Sequence, residues 1–448
     1  MRVPSQTRRM LAIWLAALAL SLGGTIGSSL DAQTPPPSTD GLIYDLKHPD
    51  APRRLAAARD LGVAKYLPAI PALLPLADDP DASVRRQVEI ALEEMADMRV
   101  LPALVRLTSD AEPDIRDRAV HALVSLYLPR ATGPTAALIK LGNLINPKSD
   151  EYADLVVEPD VPVDVSVVEA LRARMGDTED AIRRDTSRGL GILRSEAAIQ
   201  ELLLAAGQDR DSDVRFEAVR ALRKIGNASV GDRLVPLLNL SSDRVRHEVI
   251  TTLGSLKYRA AVSELTRIFD QAKVGDRTRT LALSALADIA DPAAQPVFLG
   301  MKADKDASIR LYANEGLARL ADASLVSVMS ADRLAEKNLR VQTAQAFGLL
   351  RIGRDEYLEE LVRGLGKSAT RDLSREYLLE VPPAARPALF ATNSKNAAVR
   401  AELADVFGLM QDRSALPALQ ALTHDSDADV ARNAERAIRR IEATTRVN

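Results

Sequence analysis

The chain of 448 residues has no cysteine. Disulfides, thiolate metal centres, a cysteine nucleophile, thioether-linked haem and a lipidated N-terminal cysteine are therefore excluded. Aromatic residues make up only 3%. That leaves Ala, Leu, Val and Ile to build the core and favours closely packed helices over a sandwich or barrel. A dominant charge is missing too: 59 Lys and Arg against 62 Asp and Glu leave −3, so no global positive field draws in nucleic acid. What remains, 46% hydrophobic and 27% charged residues, is the make-up of a folded chain too long for one ordinary core.

Long apolar runs are scarce, with one exception. Arg2, Arg8 and Arg9 precede an uncharged stretch at 10–22, small residues follow, and the first acid is Asp31. This is the order of a secretory signal. The expectation is a signal segment at 1–32, cleaved after Ala32, and export to the periplasm or the extracellular space. Left uncleaved, the same segment is long enough to anchor the chain in a membrane; after cleavage no span is expected. The Pro-rich stretch 33–45 reads as a linker.

Beyond the linker the chain repeats. The first residue of each Val-Arg pair, or its equivalent, defines a register: Arg53, Val84, Ile115, Ile182, Val214, Val245, Thr278, Ile309, Leu339, Thr370, Val399 and Val430. Steps are 29 to 33 residues, apart from one of 67. The next residue is Arg in eleven of the twelve units: Arg54, Arg85, Arg116, Arg183, Arg215, Arg246, Arg279, Arg310, Arg340, Arg371 and Arg400. Eight places after the register position every unit has a large apolar residue, from Leu61, Leu92 and Leu123 through Phe347 and Phe407 to Ile438. Offsets of four, seven, eight and eleven share one stripe of an α-helix. Asp81, Asp114, Asp213, Asp243, Asp306 and Asp429 stand at the helix starts, where an acid caps free N–H groups. A second apolar segment follows each helix, often opened by Pro, as in the stretches 67–77, 101–108 and 416–422. A unit of two short helices has too little surface to bury a core alone, so the units must stack.

The acid, the Val-Arg pair and the Ala-Leu pair seven and eight residues on resemble the HEAT repeat, in its short form of about thirty residues found in bilin-lyase-like proteins. The resemblance implies an all-α, right-handed α-α superhelical solenoid of tandem helical hairpins. It also implies first helices on the convex side and second helices lining the concave side. Repeats are expected at 46–128 and, with a polar C-terminal cap, at 177–442, before a tail at 443–448. The 67-residue step contains a degenerate repeat at 129–176 whose first helix has become an acidic loop at 146–165. Glu151, Tyr152 and Asp154 are its candidate partner-binding residues, since long loops on rigid scaffolds often carry function.

The same register bears on catalytic chemistry. His247-Glu248 resembles the His-Glu pairs with which the deoxyhypusine hydroxylases, an enzymatic HEAT branch, hold two irons. No other unit repeats the pair: His48 and His424 lie in inter-unit turns, and His121 is in a different phase. A metal needs several convergent ligands. No phosphate loop, nucleophile elbow or aromatic-laced basic patch is present. The expectation is no catalytic residue, no metal and no cofactor. The arginine column (Arg85, Arg116, Arg183, Arg215, Arg246, Arg279, Arg310, Arg340, Arg371, Arg400) reads as a structural ladder pairing with inter-repeat acids. The leading expectation is an exported, non-enzymatic scaffold that binds a protein or peptide, and no nucleic acid, on its concave face. The repeat similarity also implies two alternatives, a chromophore-handling protein of the bilin-lyase type and a metal-dependent hydroxylase.

Overall fold

The computed structural model describes residues 38–128, 155–158, 161–240 and 242–446. The signal segment and Glu151, Tyr152 and Asp154 lie outside the described residues. Every regular element among the described residues is helical, and none of these helices is long and apolar enough to cross a membrane.

Twelve first helices follow the register: α1 Ala51–Val63, α2 Ala82–Met95, α3 Pro113–Ser125, α4 Asp180–Ile192, α5 Ser212–Ile225, α6 Asp243–Ser255, α7 Arg277–Ile289, α8 Ala307–Leu320, α9 Leu339–Arg351, α10 Arg371–Leu379, α11 Ala397–Met410 and α12 Ala428–Arg446. Second helices, such as Leu101–Leu107, Ile199–Gln208 and Leu416–Leu422, are shorter and are entered through a single 3₁₀ turn. Pro in the first turn opens several of them, where its missing N–H costs nothing. Near Pro382 and Pro383 the second helix shrinks to Arg386–Phe390.

The caps sit slightly apart from their expected places. Asp81 and Asp306 do cap α2 and α8, but α5 is capped by Asp211, two residues before Asp213. Asp114, Asp213, Asp243 and Asp429 fall inside the first helical turn, where they oppose the dipole without capping.

The apolar column is the core. Leu61, Leu92, Leu123, Leu190, Leu253 and Leu286 are fully buried, and Leu222 and Leu317 nearly so. One unit is out of phase. Leu339 is exposed while Val341 is buried, and Asn338 caps α9 three places before Val341, the spacing at which Asp81 precedes Val84. The true register residue of α9 is thus Val341, and Leu339-Arg340 only imitates a Val-Arg pair.

Consecutive first helices touch backbone to backbone. A Cβ added at Gly62, Gly191, Gly254 or Gly408 would stand 2.6–2.7 Å from the Cα of Ala91, Ala221, Ala285 or Ala437 in the next helix. Second helices stand apart. Cavities of about 550, 400 and 410 Å³ open between successive ones, lined by Arg172 and Leu204, by Lys302 and Asp332, and by Phe390 and Ala421. A stack bends towards its closely packed side, so the first helices stand at the inner radius. The concave face is built from first helices, opposite to what the repeat resemblance implies.

Candidate functional site

The arginine ladder runs along the start of the first helices. Arg85 donates through Nε and a terminal nitrogen to both oxygens of Asp110, and through the other nitrogen to the carbonyls of Asp79 and Pro80. Arg116 with Asp177, Arg183 with Asp209, Arg310 with Glu336 and Arg400 with Asp425 repeat the arrangement, as does Arg54 with Asp79. Each acid also accepts the N–H two residues on, as Asp110 does from Glu112 and Asp209 from Asp211. Arginine, acid and next turn are therefore tied in series by bidentate, charge-assisted bonds.

The other members differ. Arg246 pairs with Asp243 of its own helix, and Arg279 lies 3.9 Å above the Phe269 ring. Arg371 donates to the Leu365 carbonyl, and Arg215 holds the equivalent place on α5. Arg340 is no ladder member. It donates to the Ala369 carbonyl, while Gln342, in the true register, donates to the Glu336 carbonyl six residues back as the ladder arginines do.

The concave side of the first helices carries a second charged lattice. On α3, Arg118 donates to Glu89 and Glu93 of α2. Arg188 on α4 links Asp185 to Glu217 of α5, and Arg223 continues to Glu248 of α6. Towards the C-terminus Arg375 faces Glu402 and Asp405, and Arg436 on α12 donates to Asp405. These side chains meet because stacked helices bring neighbouring units together.

Two clusters on this face hold unusual chemistry. The first joins Asp117 and His121, one turn apart on α3, to Asp185 on α4; one ligand atom from each lies within 4.8 Å of the others. His121 Nε2 is 3.2 Å from Asp185 Oδ2, and that contact holds the imidazole above its ordinary value. Arg184 and Arg188 also donate to Asp185. Burial alone would raise Asp185, but the bonds from His121 and Arg184 hold it well below the usual carboxylate range.

The second cluster surrounds Arg319 on α8. It donates to Asp288 of α7, to Glu376 of α10 and to Glu380 at the C-cap of α10, with Glu315 at 3.8 Å. The Tyr377 hydroxyl donates to Glu315, and the Tyr377 ring stacks on Phe347 at 4.4 Å. Four carboxyls share one guanidinium. Burial pushes Glu315 up to about 8 and Asp288 up to about 6, against the pull of Arg319. Sequence reading missed both clusters. Their only trace in the chain is charge at positions facing away from the second helices, and the partners of Arg319 stand 57 and 61 residues ahead of it.

A family model described as HEAT repeats matches residues 39–133, 168–244, 199–287 and 231–318. Among curated relatives, deoxyhypusine hydroxylase of Rattus norvegicus is 29% identical over 229 residues, 48% of this chain and 68% of its own. Deoxyhypusine hydroxylase-B of Oryza sativa subsp. japonica is 26% identical over 277 residues, 58% and 80%. Among solved structures, an engineered protein covers 90% of this chain and 98% of its own at TM-score 0.41 and 18% identity. The complex of CpcE and CpcF of phycocyanin lyase from Nostoc sp. covers 70% and 100% at 0.26 and 16%.

The relatives overturn one expectation. The lack of any motif of catalytic spacing points to a non-enzyme, yet the curated relatives are named as enzymes. In a stacked array a catalytic set can be spread over several units, where short-range spacing does not reveal it. The residues present still do not fit a pair of irons held by His-Glu pairs. His247 Nε2 contacts Thr278 Oγ1 at 2.9 Å, Glu248 accepts from Arg223, and His121 has acids but no Glu beside it in sequence. The matches span more than half of the sequence, the described elements are helices that stack unit on unit, and on that footing the chain belongs to the HEAT-repeat family.

Proposed function

We propose that the protein is an exported HEAT-repeat scaffold that holds a protein or peptide partner along the concave face of its first helices. The observation that carries this reading is the charged lattice from Glu89 to Arg436, whose members are held in place by their neighbours before any partner arrives. Ordering them in advance spares a partner the entropy of doing so. Export rests on the segment 1–32.

Photo-crosslinking residues placed at Arg223 and Arg375 on the concave face, and at Val328 and Leu334 among the exposed apolar residues of the second helices, test it. Capture of one protein from the concave positions alone is the expected result. Equal capture from both faces would sink the reading, and a purified protein that retains residues 1–32 would sink the cleaved form.

A second reading is favoured by the convergence of Asp117, His121 and Asp185 together with the enzymatic names of the relatives. In it, one carboxylate pair and one imidazole take a divalent cation, the donor set suited to Mn or Fe. The cation enters in competition with Arg184 and Arg188 on Asp185. Elemental analysis of the purified protein checks this: metal near one equivalent, lost in His121→Ala, is the expected outcome.

A further inference from the structure

The four residues 155–158 have no regular structure, yet they are firmly held. The Val157 N–H donates to the Ile192 carbonyl at 2.8 Å. That carbonyl belongs to the last turn of α4, where acceptors lack a helical partner. The Val157 side chain is 5% exposed. One residue on, both Glu158 oxygens accept from Arg440 of α12, at 2.5 and 2.6 Å across 282 residues of sequence. Arg436 and Arg439 of α12 add their charge at the same carboxylate. The segment thus engages three features in a row: a free helix-end carbonyl, an apolar recess and a basic patch.

We propose that residues 155–158 act as an internal pseudo-ligand, holding the place of an extended acidic peptide with an apolar–acidic residue pair that binds by displacing Val157 and Glu158. The inference rests on the scaffold reading and names the chemistry of its partner. Charge complementarity selects the occupant, because a basic peptide would meet Arg436, Arg439 and Arg440. The segment supplies its own template: acids at Asp150, Glu151, Asp154, Glu158 and Asp160 surround the apolar residues Leu155, Val156 and Val157. A ligand must outcompete a tethered copy present at high effective concentration, so the site answers only to a ligand that binds better than the tether.

The test is fluorescence anisotropy of a labelled peptide with the sequence of residues 152–162, titrated with the full chain. Release of the internal segment by Val157→Ser with Glu158→Gln is expected to tighten peptide binding at least tenfold over the wild type. Adding Arg440→Glu should remove that gain, and a peptide with Gln in place of its glutamate should bind tenfold more weakly. The swap Glu158→Arg with Arg440→Glu restores the tether's ion pair but faces an acidic peptide with a carboxylate, and should hold peptide binding at or below the wild-type level; helical circular dichroism verifies each fold. Equal affinity for wild-type and released chains, or for the Glu and Gln peptides, overturns the proposal. Partner capture at Arg223 with peptide affinity unmoved by release would overturn this inference alone. Release-dependent peptide binding without capture would count against the wider scaffold reading alone.

Discussion

Glu315 shows how one residue can report on the whole array. Burial beneath Tyr377 and beside Arg319, Glu376 and Asp288 pushes its carboxyl to about 8. The folded state therefore holds a proton that the unfolded chain releases near 4.5, and stability falls as pH rises from that value through about 8. Glu315→Gln should remove this part of the decline. Unfolding free energies from urea titration should match the wild type near pH 5 and exceed it near pH 9, by roughly 2–4 kcal/mol. An unchanged pH profile would show that Glu315 is ionised in the fold. At the same scale, Arg183→Met should cost about 3–5 kcal/mol, because it strands Asp209 half-buried and unpaired. Arg340→Ala, off the ladder, should cost less than about 0.5 kcal/mol. Chemical denaturation of the two variants side by side decides whether the register of α9 starts at Val341.

Between helices, the close approach of first-helix backbones sets the curvature. At Gly191 any Cβ meets the Ala221 backbone, so Gly191→Val forces α4 from α5 and should destabilise by about 1–3 kcal/mol. Gly300, in the second helix Gln295–Met301, has nothing within 4 Å of an added Cβ. There Gly300→Ala should stabilise by about 0.5–1 kcal/mol through helix propensity. Thermal melts give the sign of each. The contrast also shows what was legible. Gly and Ala at neighbouring positions could be read as small residues beside the stripe; which face they close could not, because the second helices hold comparable Leu and Ala residues. The slip at α9 was hidden for a similar reason. Leu339-Arg340 satisfies the pair pattern, and only the distance from the Asn338 cap reveals the offset.

Across the whole molecule the apolar core divides at α8. Ile309, Ala313 and Leu317 belong to the N-terminal core, while Leu311 and Ala318 belong to a second core with Val341 and Phe347. Arg319 lies on this seam and reaches Asp288 on one side and Glu376 and Glu380 on the other. Cooperativity in a repeat array depends on such nearest-neighbour coupling. Calorimetry of Arg319→Met is therefore expected to show two transitions where the wild type shows one; a single shifted transition would place the coupling in the apolar contacts instead.

The linear order of residues determined the hairpin, its period and the buried column, because helix stripes, caps and first-turn prolines act within a few residues of chain. Tertiary structure alone decided which side is concave, that Arg319 gathers the carboxyls of Asp288, Glu376 and Glu380 from 31, 57 and 61 residues away, and that Glu158 reaches Arg440. Those contacts depend on how far each unit rotates on the last, a small angle summed over many repeats, and no local pattern of residues encodes that sum.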